Sequence, residues 1–294
     1  MPERPSVDPL MAGASVLDGK AIAERIKAEL VQEIQGFGRE RPRLAIISFE
    51  TPTSELYLGA QLKQARALGI AADFEFRFPW NVTQEEVERA VTGLNRGQMH
   101  GIFVHQPMPP QIDAQRISAL IDPRKDIEGI HPQNMARRFF AKARIGSCTA
   151  LAVMRLIEET GVDLAGQEAV VVGHSEIVGR PVSMLLLDRL ATTTVCHVGT
   201  DRAGRLEAHV RRAEVLVVAV GKPQIVRGAW IKPGAIVIDV GINVVGGKVV
   251  GDVEFDEARK RAAFISPVPG GVGPVTVMMV MKNAVEAFKL QRSG

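Results

Sequence analysis

Residues 170–181 read VVVGHSEIVGRP. An apolar β-branched run ends at Gly173, and an apolar helical stretch opens at Gly179. A glycine closing a buried strand lets backbone approach a pyrophosphate, and the helix that follows offers N–H donors and the positive end of its dipole. Gly173, His174, Ser175, Gly179 and Arg180 therefore form a candidate dinucleotide turn. Ser175 stands where the generic G-x-G-x-x-G pattern has its second glycine, so the motif alone also fits a plain strand–helix turn. Three more apolar runs follow, 192–198, 213–221 and 234–241, and they favour the dinucleotide reading. The first of these ends in Cys196-His197-Val198, with no carboxylate to hold a ribose hydroxyl. His174, Arg180 and Arg202 place positive charge nearby, which points to NADP; Asp201 keeps NAD open.

These residues need a scaffold, and the hydrophobic pattern supplies one. Ala21, Ile22, Ile26, Leu30 and Ile34 fall on one face of a helix over Asp18–Phe37. Arg43–Phe49 is a short buried strand, and a helix over Glu55–Leu68 stops at Gly69. Asp73–Phe78 is a second strand. Thr83 and Glu86 make a capping box at the start of the next helix. Gly101–Val104 is a third strand, running into the proline-rich HQPMPP. Asp122–Thr149 reads as loop, Ala150–Thr160 as helix, and Val275–Leu290 as a last helix returning to the first domain. The fold class is α/β. Residues 1–150 form one α/β domain of three layers, and 151–274 form a Rossmann-type doubly wound parallel sheet.

Composition excludes several classes of function. The 294 residues carry 36 basic and 33 acidic side chains, a formal charge of +3, with no like-charge run and 5% aromatics. A nucleic-acid surface is not expected. No apolar run approaches a membrane span and the first 14 residues lack a signal-peptide core, so the expected location is the cytoplasm. Cys148 and Cys196 have no metal-ligand spacing and read as small core residues; His131 and His197 show no metal pattern either, and no metal is expected.

Five runs occur in order: GHSEIVGRP (173–181), VAVGKP (218–223), DVGIN (239–243), GDV (251–253) and PVPGGVGPVT (267–276). The first half adds LDGKAIA (17–23), Ser54 and Tyr57 as S-x-x-Y, Pro107 and Pro109 as P-x-P, and PRKDIEG (123–129). From about residue 16 to 290 the chain resembles the bifunctional methylenetetrahydrofolate dehydrogenase/methenyltetrahydrofolate cyclohydrolases. The resemblance implies a folate-binding first domain, a cofactor domain, and a cleft between them. It implies hydride transfer from 5,10-methylenetetrahydrofolate to NADP, then hydrolysis of the methenyl cation to 10-formyltetrahydrofolate, a step in one-carbon metabolism that supplies purine biosynthesis. It implies a homodimer paired through the Rossmann domain.

The same resemblance assigns residues. Tyr57, Gln61, His105 and Glu128 fall at catalytic positions. Ser54, Asp126, Gly271, Gly273 and Pro274 fall at substrate positions. Beside the turn residues already named, Ile177, Val178, Val198, Gly221, Lys222 and Ile242 fall at cofactor positions. Three of these depart from the family pattern. The lysine of Y-x-x-x-K is Gln61, with Lys63 two residues on; the glutamine before P-x-P is His105, with Gln106 one residue late; the second acid of K-D-V-D-G is Glu128. A glutamine amide orients water but exchanges no proton at neutral pH, whereas the unperturbed pKa of a histidine suits proton transfer. Hydride transfer with weak or absent cyclohydrolase activity is the expectation. The same changes also suit a relative that binds folate without turnover, or a dehydrogenase with a changed substrate.

Overall fold

In a computed structural model of the chain, the described residues are 13–50, 52–140 and 143–292; the side chains of residues 52–57, 60, 73 and 74 also lie outside the described set. The chain begins β1 (Ser15–Val16), α1 (Gly19–Gln35), β2 (Arg43–Phe49), α2 (Pro52–Leu68), β3 (Ala71–Phe78), α3 (Gln84–Arg96), β4 (Gly101–Val104), α4 (Ala114–Leu120) and α5 (Pro132–Phe139). A parallel sheet has the order β3-β2-β4. β2 takes its centre because Leu44 to Phe49 are all buried, the continuous apolar run of a strand covered on both faces. Val87, Val91 and Leu94 line one face of α3 and pack in one core with Ile47, Ile102 and Val104. The capping box is present: Glu86 N donates to Thr83 Oγ1 at 3.3 Å, and Thr83 N donates to Glu86 Oε2 at 2.9 Å. α5 lies inside the stretch expected as loop. Its start is fixed by Pro132 and by Gln133 N donating to the His131 ring at 3.0 Å, so His131 serves as a helix cap.

The second half runs α6 (Cys148–Glu158), β5 (Glu168–Val172), α7 (Gly179–Asp188), β6 (Thr192–Cys196), α8 (Val198–Arg202), α9 (Leu206–Arg212), β7 (Val215–Val218), β8 (Ile236–Asp239), β9 (Asn243–Val245), β10 (Lys248–Val250), α10 (Phe255–Arg259), β11 (Phe264–Ile265) and α11 (Val272–Arg292). Six strands form one parallel sheet in the order β1-β11-β8-β7-β5-β6, and β9 with β10 forms an antiparallel hairpin. The chain leaves β5 for β6 on one side and then returns to β7 on the other. That reversal is a topological switch point, and it opens a crevice beyond the carboxyl ends of β5 and β7.

By internal contacts the chain divides into two units. Among the described residues, one holds those up to Ile22 with Thr149–Val275, and the other holds those within Ala23–Cys148 and those from Thr276 on. The first strand thus sits with the second sheet, because β1 pairs with β11, whereas the sequence pattern placed it with the first half. In the other unit, Asn283 of α11 donates to Ile127 O (2.9 Å) and Gly146 O (2.8 Å). Cys148 and Cys196 are buried. No helix among the described residues is long and apolar enough to cross a membrane.

Thr83→Ala removes one acceptor of the capping box. Chemical denaturation should show a loss of about 1 kcal/mol, with catalytic constants unchanged.

Candidate active site

Four loops leave the carboxyl ends of β6, β5, β7 and β8, neighbours in the sheet. Each presents one large apolar side chain to solvent: Val198, Ile177, Val220 and Ile242. Exposed apolar residues repeated along one sheet edge mark a surface that receives something flat and apolar. Four strands at about 4.8 Å spacing span roughly 14 Å, the scale of an extended dinucleotide. Three of the four were expected at the cofactor from the sequence; Val220 was not, although it stands inside VAVGKP.

The turn after β5 has the close approaches that its glycines imply. Gly173 has φ +126°, and a Cβ there would lie closer than 3.0 Å to the Ala219 carbonyl oxygen beyond β7. A Cβ on Gly179 would similarly strike the Gly173 carbonyl, so α7 starts hard against the strand end. Ser175 holds the turn that enters α7: its hydroxyl accepts from Val178 N (3.2 Å) and Gly179 N (3.3 Å). His174, Ser175, Glu176 and Ile177 are exposed around this turn, and Val178 is buried at its end. The rings of His174 and His197 lie 5.2 Å apart, so the loops after β5 and β6 meet through two imidazoles. Arg180 pairs with Glu176 at 3.5 Å. Both side chains are exposed, and such a pair is weak enough to yield to an anionic ligand. A glycine cradle at a helix start, with histidines and an arginine beside it, fits a dinucleotide phosphate.

Two buried aspartates hold the remaining loops. Asp239, at the end of β8, accepts from Gly241 N, Asp252 N and Val253 N at 2.8–3.0 Å. Burial pushes its carboxyl up to about 7. Asp252 is 0% exposed and accepts from Val220 N, Gly221 N and Lys222 N. Neither was a candidate from sequence, although DVGIN and GDV carry them.

The glycines of PVPGGVGPVT, expected at the substrate, differ among themselves: Gly270 and Gly273 have open space where a Cβ would stand, and Gly271 does not. Gly273 and Pro274 fall in the first turn of α11. Gly271 is pressed against protein: a Cβ on Gly19 would overlap its carbonyl, and its own Cβ would lie 2.6 Å from Pro267 O. The tight fit of the start of α1 against this turn is a physical reason for glycine at 19, and the approach of Pro267 O is one for glycine at 271.

In the other unit, the Glu128 side chain reaches the backbone at the end of β4, one residue before His105. Val104 N donates to Glu128 Oε2 at 3.4 Å, and His105 is the next residue. Glu128 is half-buried. Burial first, and the charge of Asp126 second, push its carboxyl up to about 8. His105 is 4% exposed, its Nε2 has no hydrogen-bond partner among the described residues, and burial pushes its pKa down to about 4. Desolvation thus favours the neutral ring at His105. Asp126, expected at the substrate, is 1% exposed. Its oxygens accept from Gly129 N (3.1 Å), His131 N (2.9 Å) and Asn134 Nδ2 (2.8 Å), so it shapes the loop that presents Glu128. Gln61, on α2, is 7% exposed, and its Oε1 has no partner among the described residues. Lys63 is exposed, in keeping with a different helix face. The side chains of Ser54 and Tyr57 lie outside the described residues.

Comparison with known proteins agrees with both halves. Residues 17–128 match the family model for the tetrahydrofolate dehydrogenase/cyclohydrolase catalytic domain, and residues 147–292 match the model for the NAD(P)-binding domain of the same family. The bifunctional protein FolD 2 of Geobacter sulfurreducens is 45% identical over 287 residues, 96% of this chain and 99% of that protein. The bifunctional FolD dehydrogenase/cyclohydrolase of Campylobacter jejuni superposes with a TM-score of 0.90 at 37% identity, covering 95% of this chain and 99% of that one. The Trypanosoma brucei FolD, solved with NADP cofactor and an inhibitor, gives 0.91 at 41% identity over 97% of this chain and 100% of that one. The chain belongs to the tetrahydrofolate dehydrogenase/cyclohydrolase family.

Proposed function

We propose that this protein oxidises 5,10-methylenetetrahydrofolate to 5,10-methenyltetrahydrofolate with NADP, and that it hydrolyses the product slowly or not at all. Family membership supports the reaction class, and the NADP-bound relative supports the cofactor. The observation that carries the second clause is charge. At pH 7 none of the three departing side chains offers an ionised base: Gln61 has no titratable group, His105 is neutral, and Glu128 is largely protonated.

The two half-reactions make different demands. In the oxidation, a tetrahydrofolate nitrogen supplies the electron pair as hydride leaves the bridging carbon, so orientation matters more than proton transfer. When bound, NADP supplies the nicotinamide ring that accepts the hydride. Gly173, His174, Arg180 and the four apolar loop residues hold it. Glu128, protonated, donates a hydrogen bond to the pterin and fixes its orientation; Tyr57 and Ser54 stand at the substrate by family position. Attack of water on the methenyl cation instead needs a group that takes a proton. Neutral Gln61 cannot, and a histidine with a pKa of about 4 is a weak base. The family resemblance further supports a cytoplasmic homodimer paired through the nucleotide-binding unit.

Purified protein given 5,10-methylenetetrahydrofolate and NADP should form NADPH, and the methenyl product should accumulate. Rapid conversion of added methenyltetrahydrofolate to 10-formyltetrahydrofolate would overturn the second clause. Gln61→Lys should raise that conversion by roughly tenfold or more, at the scale general acid–base groups contribute. Glu128 also ties stability to pH. Its folded pKa of about 8 lies above the ordinary 4.5, so its contribution is complete below pH 4.5 and is lost as pH rises through 8. Urea midpoints of the wild type should fall between pH 5 and pH 9 by the equivalent of about 2 kcal/mol more than those of Glu128→Gln.

A further inference from the structure

Three consecutive N–H groups at the end of β7 converge on one internal carboxylate. Asp252 Oδ2 accepts from Val220 N (2.6 Å) and Gly221 N (2.8 Å), and Oδ1 accepts from Lys222 N (2.9 Å). Oδ1 also accepts from Asn243 Nδ2 at 2.9 Å, one residue beyond Ile242. Successive N–H groups in a turn make an anion-binding nest. Here the anion belongs to the protein and is buried. With the nest filled from within, Val220, Gly221 and Lys222 face solvent with their outer surface. One carboxylate thereby ties together the loops after β7 and β8, which carry two of the four exposed apolar residues of the sheet edge.

The carboxylate is itself held in place. Asp252 N donates to Asp239 Oδ1 at 3.0 Å, and its carbonyl accepts from Val226 N at 3.1 Å. On its other side stands Gly241, where a Cβ would lie closer than 3.0 Å to Cγ and both oxygens. The pocket therefore admits a carboxylate in one pose. An asparagine keeps the shape but presents N–H groups to N–H groups, leaving donors of the nest unpaired. An alanine at 241 crowds the carboxylate out from behind.

We propose that Asp252 is a positioning residue of the cofactor site: through the 220–222 nest and Asn243 it fixes two of the four loops that receive NADP. The inference rests on the reading of those loops as the NADP site. A purely structural role would lower stability and leave the affinity for NADP alone. Isothermal titration of NADP into Asp252→Asn, Gly241→Ala and Asn243→Ala separates the two. The expected result is a Kd raised roughly tenfold in the first two and roughly threefold in Asn243→Ala, which removes one donor of four. Steady-state assays should show a larger change in the KM for NADP than in kcat or in the KM for folate. Folded variants whose NADP Kd stays within about twofold of the wild type would overturn the proposal. Titration reads binding without turnover, so wild-type protein that binds NADP and fails to oxidise the folate would count against the proposed reaction and leave this inference standing.

Discussion

A buried carboxylate must be solvated by the protein, and backbone N–H groups are the donors most available at the end of a parallel strand. Asp239, Asp252 and Asp126 all meet this constraint. Each receives at least two backbone N–H groups, and each fixes a loop on which candidate site residues stand. A typical hydrogen bond contributes about 0.5–1.5 kcal/mol net, and a buried acceptor left without donors costs about 1–3 kcal/mol. The loops are therefore locked in shape before any ligand arrives. At the strand ends, Asp239 and Asp252 hold the loops that carry Val220 and Ile242, so these two side chains stay exposed without collapsing inward.

Much of the fold is legible in the sequence because its signals are local. The apolar runs at 43–49, 101–104 and 169–173, the Thr83–Glu86 box, and the glycine stops mark elements by composition and period alone. The short pieces are not legible in this way. β1 and β11 have two residues each and are defined by their pairing: β11 lies between β8 and β1, and β1 closes that edge of the sheet. The β9–β10 hairpin has a faint signal in two short valine-containing strands around Gly246-Gly247, both with positive φ, as a tight two-residue hairpin turn requires. α5 is hidden because its cap is a histidine, an unusual side chain for that position.

The site divides along the same line. The strand–glycine–helix turn can be read from nine consecutive residues, and so can its serine, although the reason for Ser175 needs coordinates: its hydroxyl holds the turn that enters the helix. Direction and burial cannot be read. Asp126 and Glu128 alternate along a loop, and nothing in their spacing says which turns inward; three donors from Gly129, His131 and Asn134 decide it. Asp252 is invisible in sequence because its partners lie about 30 residues back, and a carboxylate's identity as a nest anion depends wholly on what surrounds it.

The three departures from the family pattern make electrostatic sense together. Position 61 is almost fully buried, so a lysine there would need a compensating anion to remain charged. Glu128 sits where burial and Asp126 both favour its protonated form, so it supplies little compensation at neutral pH. His105 is likewise held neutral by desolvation. A glutamine at 61 brings no charge of its own into this buried position. A site with little fixed charge can still orient an aromatic ring by hydrogen bonds. On the proposed reading, oxidation depends on that orientation and hydrolysis on proton transfer, so the two reactions place different demands on one set of side chains.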